Sequence, residues 1–228
     1  MTMRWAVSAL FFVNGLLVGS WAPKIPVLME RLGITEASAG VIVLGLGLGS
    51  ICVMPLFGAM VARAGSASAV RLAAWLAAPS MIWISLAPTY WTVAATVVLF
   101  GGMVGGMDVA MNANAVAVER ARGRAIMSSC HGFWSLGAFA GAAAGGWLIQ
   151  RFGELAHAAV ITAVFALVLL WALPRLLQDA PEAGAPKAPL RLPRSPLPWL
   201  IGLMALAAMI PEGAILDWAA VYLQREMG

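Results

Sequence analysis

The sequence predicts an all-α membrane protein: a six-helix transmembrane bundle made of two inverted three-helix repeats, followed by the first helix of a second bundle. Three observations lead there. Of the 228 residues, 62% are hydrophobic and only 11% are charged, with a mean hydropathy of +0.89. The charges are confined to the gaps between long apolar runs, and about 20 apolar residues suffice to cross about 30 Å of hydrocarbon. One pattern also occurs twice, eighty-eight residues apart, at the ends of two such runs: GAMVARAG at 58–65 and GWLIQRFG at 146–153. Both read Gly-x4-Arg-x-Gly, and the register extends upstream, Leu48-Gly49 matching Leu136-Gly137. A self-match at such a separation marks a duplicated architecture.

Taken in order, the runs are 4–22, 37–61, 70–87, 91–118, 125–149, 155–173 and 197–222. With no water in the hydrocarbon, backbone groups must bond within their own segment, so these runs are helices. The 24 glycines are compatible with that, because small residues let membrane helices approach closely. The first run follows Arg4 as a secretory signal would, but Asn14 interrupts it and six more spans follow, which favours a retained helix. GLGLGS at 45–50 looks like a phosphate-cradling loop, yet no strand precedes it, and it reads as helix packing. Cys52 and Cys130 both fall inside spans and read as reduced, small core residues.

Arginine and lysine placement sets the orientation. With the N-terminus inside, the cytoplasmic segments hold Arg4, Arg63, Arg71, Arg120, Arg122, Arg124, Arg175, Lys187, Arg191 and Arg194; the other side holds Lys24, Arg31, Arg151 and Arg225. Ten against four predicts a cytoplasmic N-terminus in a bacterial-type inner membrane. The pI near 9.7 has the same origin. Its basic residues are scattered over short loops and form no patch, so nucleic acid is excluded as a partner. The lipid bilayer is the partner the composition demands.

Three spans are an odd number, so the second group starts on the opposite side from the first. The repeated motif then ends span 2 inside and span 5 outside, an inverted 3+3 repeat of the kind that builds secondary transporters. Residues 1–173 form the six-helix bundle. Residues 174–198, rich in proline and charge, read as a flexible cytoplasmic linker. Residues 199–228 hold the seventh helix, the start of a truncated C-terminal bundle whose remainder is the missing partner.

Asp108 is the sharpest chemical candidate. It lies about 11 residues, roughly 16 Å, from Glu119 at the charged end of its span, near the midplane, where a carboxylate costs at least about 2.5 kcal/mol. Gly101, Gly105, Asp108, Asn112 and Glu119 share one face by helical spacing. Asp108 and Asn112 together predict a site that hydrogen-bonds a small-molecule substrate and exchanges protons; the alternative is a structural Asp that helps two helices pack. Glu212, within Pro211-Glu212-Gly213, predicts a broken helix lining a cavity, where the acid contacts substrate or a cation and couples protons, or else a kinked helix hiding a partnered acid. Asp217-Trp218 lies nearer the outer interface, where such a pair is ordinary. His131, with Ser128 and Ser135 on its face, suits a proton relay or an interhelical hydrogen bond. Asn14 and Trp21, seven residues apart on one face, suit a hydroxylated ligand, or interhelical bonding and interface anchoring. No second His or Cys stands at ligand spacing, so neither a metal nor a cofactor is expected.

Six spans, a long central loop and the motif between spans 2 and 3 resemble the major facilitator superfamily. The chain keeps Gly58, Arg63 and Gly65 of that loop's signature, which the resemblance implies acts in conformational switching, with Ala62 where the family usually has Asp and Ser66-Ala67 in place of a basic pair. CHGFWSLG at 130–137, MDVAMN at 107–112, AVERA at 117–121 and PEGAILDW at 211–218 resemble the MosC-like group, related to fucose permeases. Fucose permeases carry an acidic residue followed four positions later by Asn, which Asp108 and Asn112 reproduce. The resemblance covers the whole chain, as the first seven of twelve spans. It implies a proton-coupled, alternating-access transporter of a small polar solute, such as a sugar or sugar derivative. A membrane-embedded enzyme would need a catalytic motif such as H-E-x-x-H, which is missing from the sequence. A non-transporting sensor or scaffold made from half a transporter is the remaining alternative.

The topology is directly testable. A cysteine introduced within 65–69 should be protected from an impermeant thiol reagent in intact cells, and one at position 153 should be labelled. Labelling of both would refute the inverted arrangement.

Overall fold

The computed structural model describes residues 2–179 and 194–227, with backbone alone at 205, 212, 216, 220, 224, 225 and 227. Its helices are α1 (Thr2–Trp21), α2 (Lys24–Leu32), α3 (Glu36–Ala64), α4 (Ser66–Ala77), α5 (Ser80–Leu86), α6 (Tyr90–Arg122), α7 (Met127–Phe152), α8 (Glu154–Ala172) and α9 (Pro196–Met227). Among the described residues, seven stretches are long and apolar enough to cross a membrane, one for each run predicted. The first runs from Thr2 to Leu32, through α1 and α2, and so passes well beyond the expected end at Ala22. Pro23 costs no bond there, because the first N–H groups of a helix have no intrahelical partner anyway.

The long helices have local start signals. Thr35 accepts a hydrogen bond from the backbone of Ser38 at 3.3 Å and caps α3. Thr89 and Thr92 form a reciprocal capping box at α6. The last glycine of each repeated motif is explained by the turn that follows. Gly65 (φ 79°, ψ 158°) and Gly153 (φ 87°, ψ 167°) take almost the same conformation, each alone connecting two antiparallel spans. Essentially only glycine adopts that region.

The repeats interlock. α1 packs on α7, and α3 packs on α6, so the second span of each repeat lies against the first span of the other. The contacts correspond in register. A Cβ at Gly15 would strike the Trp134 carbonyl, and one at Gly101 the Leu46 carbonyl; one at Gly137 would meet Phe12, and one at Gly49 Val98. Lipid tails are as apolar as the helices, so close backbone contact at these glycines holds the bundle together.

The first span occupies the centre, with 78% of its most apolar stretch buried, whereas spans 2 and 5 (α3 and α7) bury only 17% and 22% and present open faces. α9 is exposed along most of its length and touches the bundle through α2 and at Gly40, which the Trp218 ring approaches. α9 is not broken at Pro211: it is helical through 211–213, since one proline removes a single ladder bond and the apolar surroundings preserve the others. The predicted linker lies mostly outside the described residues, but its first part, through Asp179, is held on the bundle.

Packing at the glycines should be visible in stability. Gly137→Ala should cost about 1–3 kcal/mol by forcing α1 and α7 apart, whereas Gly146→Ala, which meets open space, should change little. Thermal unfolding in detergent compares them, and equal melting temperatures would contradict the packing.

Candidate functional site

The long α6 carries a change of character along one face. Gly101 and Gly105 lie against α3, the latter beside Ser50, and the helix then turns Asp108 and Asn112 to a half-buried position. Asn112 Nδ2 donates to the Asp108 carbonyl at 2.9 Å and to Asp108 Oδ1 at 3.2 Å, which orients the carboxylate. His131 projects exposed from the first turns of α7, its ring edge-on to Phe11 of α1 at 5.2 Å, on the side toward Asp108. Asp108, Asn112 and His131 therefore gather on one side of the bundle. A carboxyl, an amide and an imidazole there can donate and accept hydrogen bonds and exchange a proton.

Asn14 and Trp21 stand elsewhere in the chemistry. Asn14 is buried, accepting from Trp134 Nε1 at 2.9 Å and donating to the Val104 carbonyl at 3.3 Å, so its amide ties α1 to α7 and α6. Trp21 is buried against Phe100, ring centroids 6.4 Å apart. Behind Trp134, a mainly apolar cavity of about 640 Å³ separates α7 from α9; Ser135, Phe139 and Ile215 line it. The side chain of Glu212 lies outside the described residues. Glu119 accepts from the backbone N–H of Ile126 and Met127 at 2.6 and 2.8 Å, capping the start of α7.

The motif loop has a partner that the sequence did not reveal. Gly58 borders a groove of about 590 Å³ with Arg120 and Asp179, and Arg63 is exposed at the end of α3. Asp179 takes hydrogen bonds from Ser66 N and Oγ at 3.0 and 2.8 Å, while Asn114 donates to Ser66 Oγ and to the Leu177 carbonyl at 2.8 and 2.9 Å. A carboxylate thus stands at the start of α4 although position 62 is alanine.

The opposite end holds the counterpart. Lys24, fully buried, donates to Ser85 Oγ and to Glu154 Oε1 at 3.0 Å, and Arg31 lies 3.4 Å from Glu154 Oε2. In both clusters the first residue of one repeat's third span (Ser66, Glu154) bonds a side chain of the other repeat's first span (Asn114, Lys24), and that side chain also donates to the end of the other third span (Leu177, Ser85). Gly65-Ser66 and Gly153-Glu154 are equivalent in the repeat, which is the one sequence signal that could have paired them.

The sequence profile of the Major Facilitator Superfamily matches residues 7–228. The chain is 41% identical to an uncharacterised transporter of Sinorhizobium fredii, over 97% of this chain and 59% of that protein. It is 36% identical to an uncharacterised MFS-type transporter of Yersinia pestis, over 93% and 55%. It is 31% identical to the membrane protein MosC of Rhizobium meliloti, over 96% and 54%. The chain thus spans little more than half the length of these relatives. Its fold resembles the crystal structure of the nucleoside transporter NupG, with a TM-score of 0.64 and 17% identity over 91% of this chain and 50% of that one.

The buried pair yields a stability prediction. Lys24→Met should cost about 3 kcal/mol by leaving the mostly buried Glu154 with Arg31 as its only cation, and Lys24→Met with Glu154→Gln should recover much of the loss. A double-mutant cycle on thermal unfolding measures the coupling; additive effects would show that the pair is not energetically joined.

Proposed function

We propose that this chain, which belongs to the major facilitator superfamily, supplies the first half of a secondary active transporter that moves a small polar solute by alternating access. The observation that carries this reading is the Asp108–Asn112 pair, with His131 nearby, on the side of a bundle whose α3 and α7 faces are open. A carboxyl near the membrane centre is costly and is retained where it binds or couples. Asp108 serves as the proton-binding group. Asn112 orients it and offers an amide to hydroxyl groups of the solute, a sugar or sugar derivative. His131, exposed toward the same side, relays protons between Asp108 and the water at that end of the bundle.

Asn14 acts one step back, by holding the Trp134 indole, and Trp21 fills the space behind α6. Glu212 joins the site as α9 and a second bundle close over it. The cluster at Ser66 and Asp179 gives the Gly58–Arg63–Gly65 loop a fixed hinge point during that closure. The basic end faces the cytoplasm, and the protein resides in the inner membrane.

The test uses this chain together with a second bundle supplied by the Sinorhizobium fredii relative. In vesicles with an imposed pH gradient, Asp108→Asn should abolish solute accumulation, while gradient-free exchange of solute continues and insertion is unchanged. Full accumulation in the variant would sink the assignment.

A further inference from the structure

At the basic end of the bundle an apolar crevice of about 480 Å³ runs between α7 and α8 over the first turns of α1. Its volume lies in the range of small-molecule pockets. Trp5, Phe12, Phe133, Leu136, Val168 and Trp171 form its walls, and Ala9 its floor. Trp5 and Phe133 meet edge to face at 6.0 Å. Trp5, Leu136 and Trp171 are all exposed, so the crevice opens outward.

Each tryptophan carries an arginine on its face. The Arg4 guanidinium lies 4.8 Å from the Trp5 ring centre, and that of Arg175 lies 5.2 Å from the Trp171 ring centre. Arg4 donates to Ser129 Oγ at 3.2 Å and leaves a buried Nε with no partner; Arg175 donates to the Trp171 carbonyl at 2.6 Å. Among the described residues neither arginine has an ion pair, and no acidic side chain lines the crevice. Two cations without ion pairs among the described residues therefore stand on the two tryptophans that wall an apolar slot.

We propose that this crevice binds an anionic phospholipid, one acyl chain lying over Ala9 between α7 and α8 and the phosphate held by Arg4 and Arg175. A zwitterionic lipid fits the slot equally well but carries an ammonium that the two arginines repel. A free phosphate finds the cations but forfeits the apolar contact. The inference rests on the basic end facing the anionic leaflet, and it is independent of the transport reading.

The test is lipid retention by the purified full chain, counted by native mass spectrometry from micelles holding phosphatidylglycerol and phosphatidylcholine with the same acyl chains. Phosphatidylglycerol should be retained preferentially. Arg4→Gln with Arg175→Gln should lower that preference about thirtyfold, from about 1 kcal/mol for each arginine, whereas Arg4→Lys with Arg175→Lys should largely keep it. Ala9→Trp should expel the lipid with both arginines in place. Equal retention of the two lipids by the unaltered chain, an unchanged preference in the glutamine pair, or displacement by glycerol 3-phosphate would each overturn the proposal. Should the glutamine pair fail to fold, the Ala9→Trp chain and the lipid comparison on the unaltered chain decide it.

Discussion

Direct contact between helix backbones at Gly15, Gly49, Gly101 and Gly137 is the constraint on which the rest of this structure depends. In a bilayer, burying a leucine against another leucine gains little over burying it in lipid, so apolar faces alone cannot choose their partners. A carbonyl resting where a side chain would be is more selective. It requires glycine, fixes the register of two helices and brings their dipolar groups close enough for Cα–H···O contact. The pairings run between repeats, so neither repeat is a bundle without the other. The same arrangement surrounds the first span and leaves α3 and α7 with uncovered faces.

That constraint separates two kinds of polar group. Lys24 and Glu154 are satisfied by each other and by Ser85 and Arg31, and Asp179 is satisfied by Ser66; their hydrogen bonds are spent within the bundle. Asp108 has one side-chain donor, Asn112 on its own helix, and is only half-buried. A buried charge pair costs much of its Coulombic gain in desolvation, so its value lies in what it holds together. An incompletely satisfied carboxyl on an open side has capacity left for a solute or a proton. The difference in remaining hydrogen-bonding capacity, more than the presence of charge, distinguishes the site from the ties at the two ends.

Much of this was legible in the sequence. Hydropathy located all seven spans, and the doubled motif gave the inverted repeat, because both signals are local or periodic. The motif's final glycine also carries its own explanation, a backbone conformation closed to other residues. What escaped notice depended on partners far along the chain. The first run was expected to end at Ala22 with Lys24 beyond it, and only Glu154, from the other repeat, makes a buried lysine tolerable within a longer first span. Asn14 suited either a ligand contact or an interhelical bond in mid-span, and the choice between them rests on a tryptophan 120 residues away that takes its amide oxygen. Asp179 sat in a stretch whose composition suggests a linker, and its role appears only once α4 begins beside it. Pro211 and Gly213 overstated a helix break, since each weakens a helix locally without ending it in an apolar setting.

A single residue joins α3 to α4, and a single residue joins α7 to α8. With no slack between them, the two members of each pair cannot slide or tilt independently, so each pair moves as one hairpin. At the tip of the second hairpin, Arg151 and Glu154 stand on either side of Gly153. Glu154 is paired with Lys24 of the first span, so whatever shifts that hairpin also pulls on the centre of the bundle. Connection and anchorage are thus linked at one glycine.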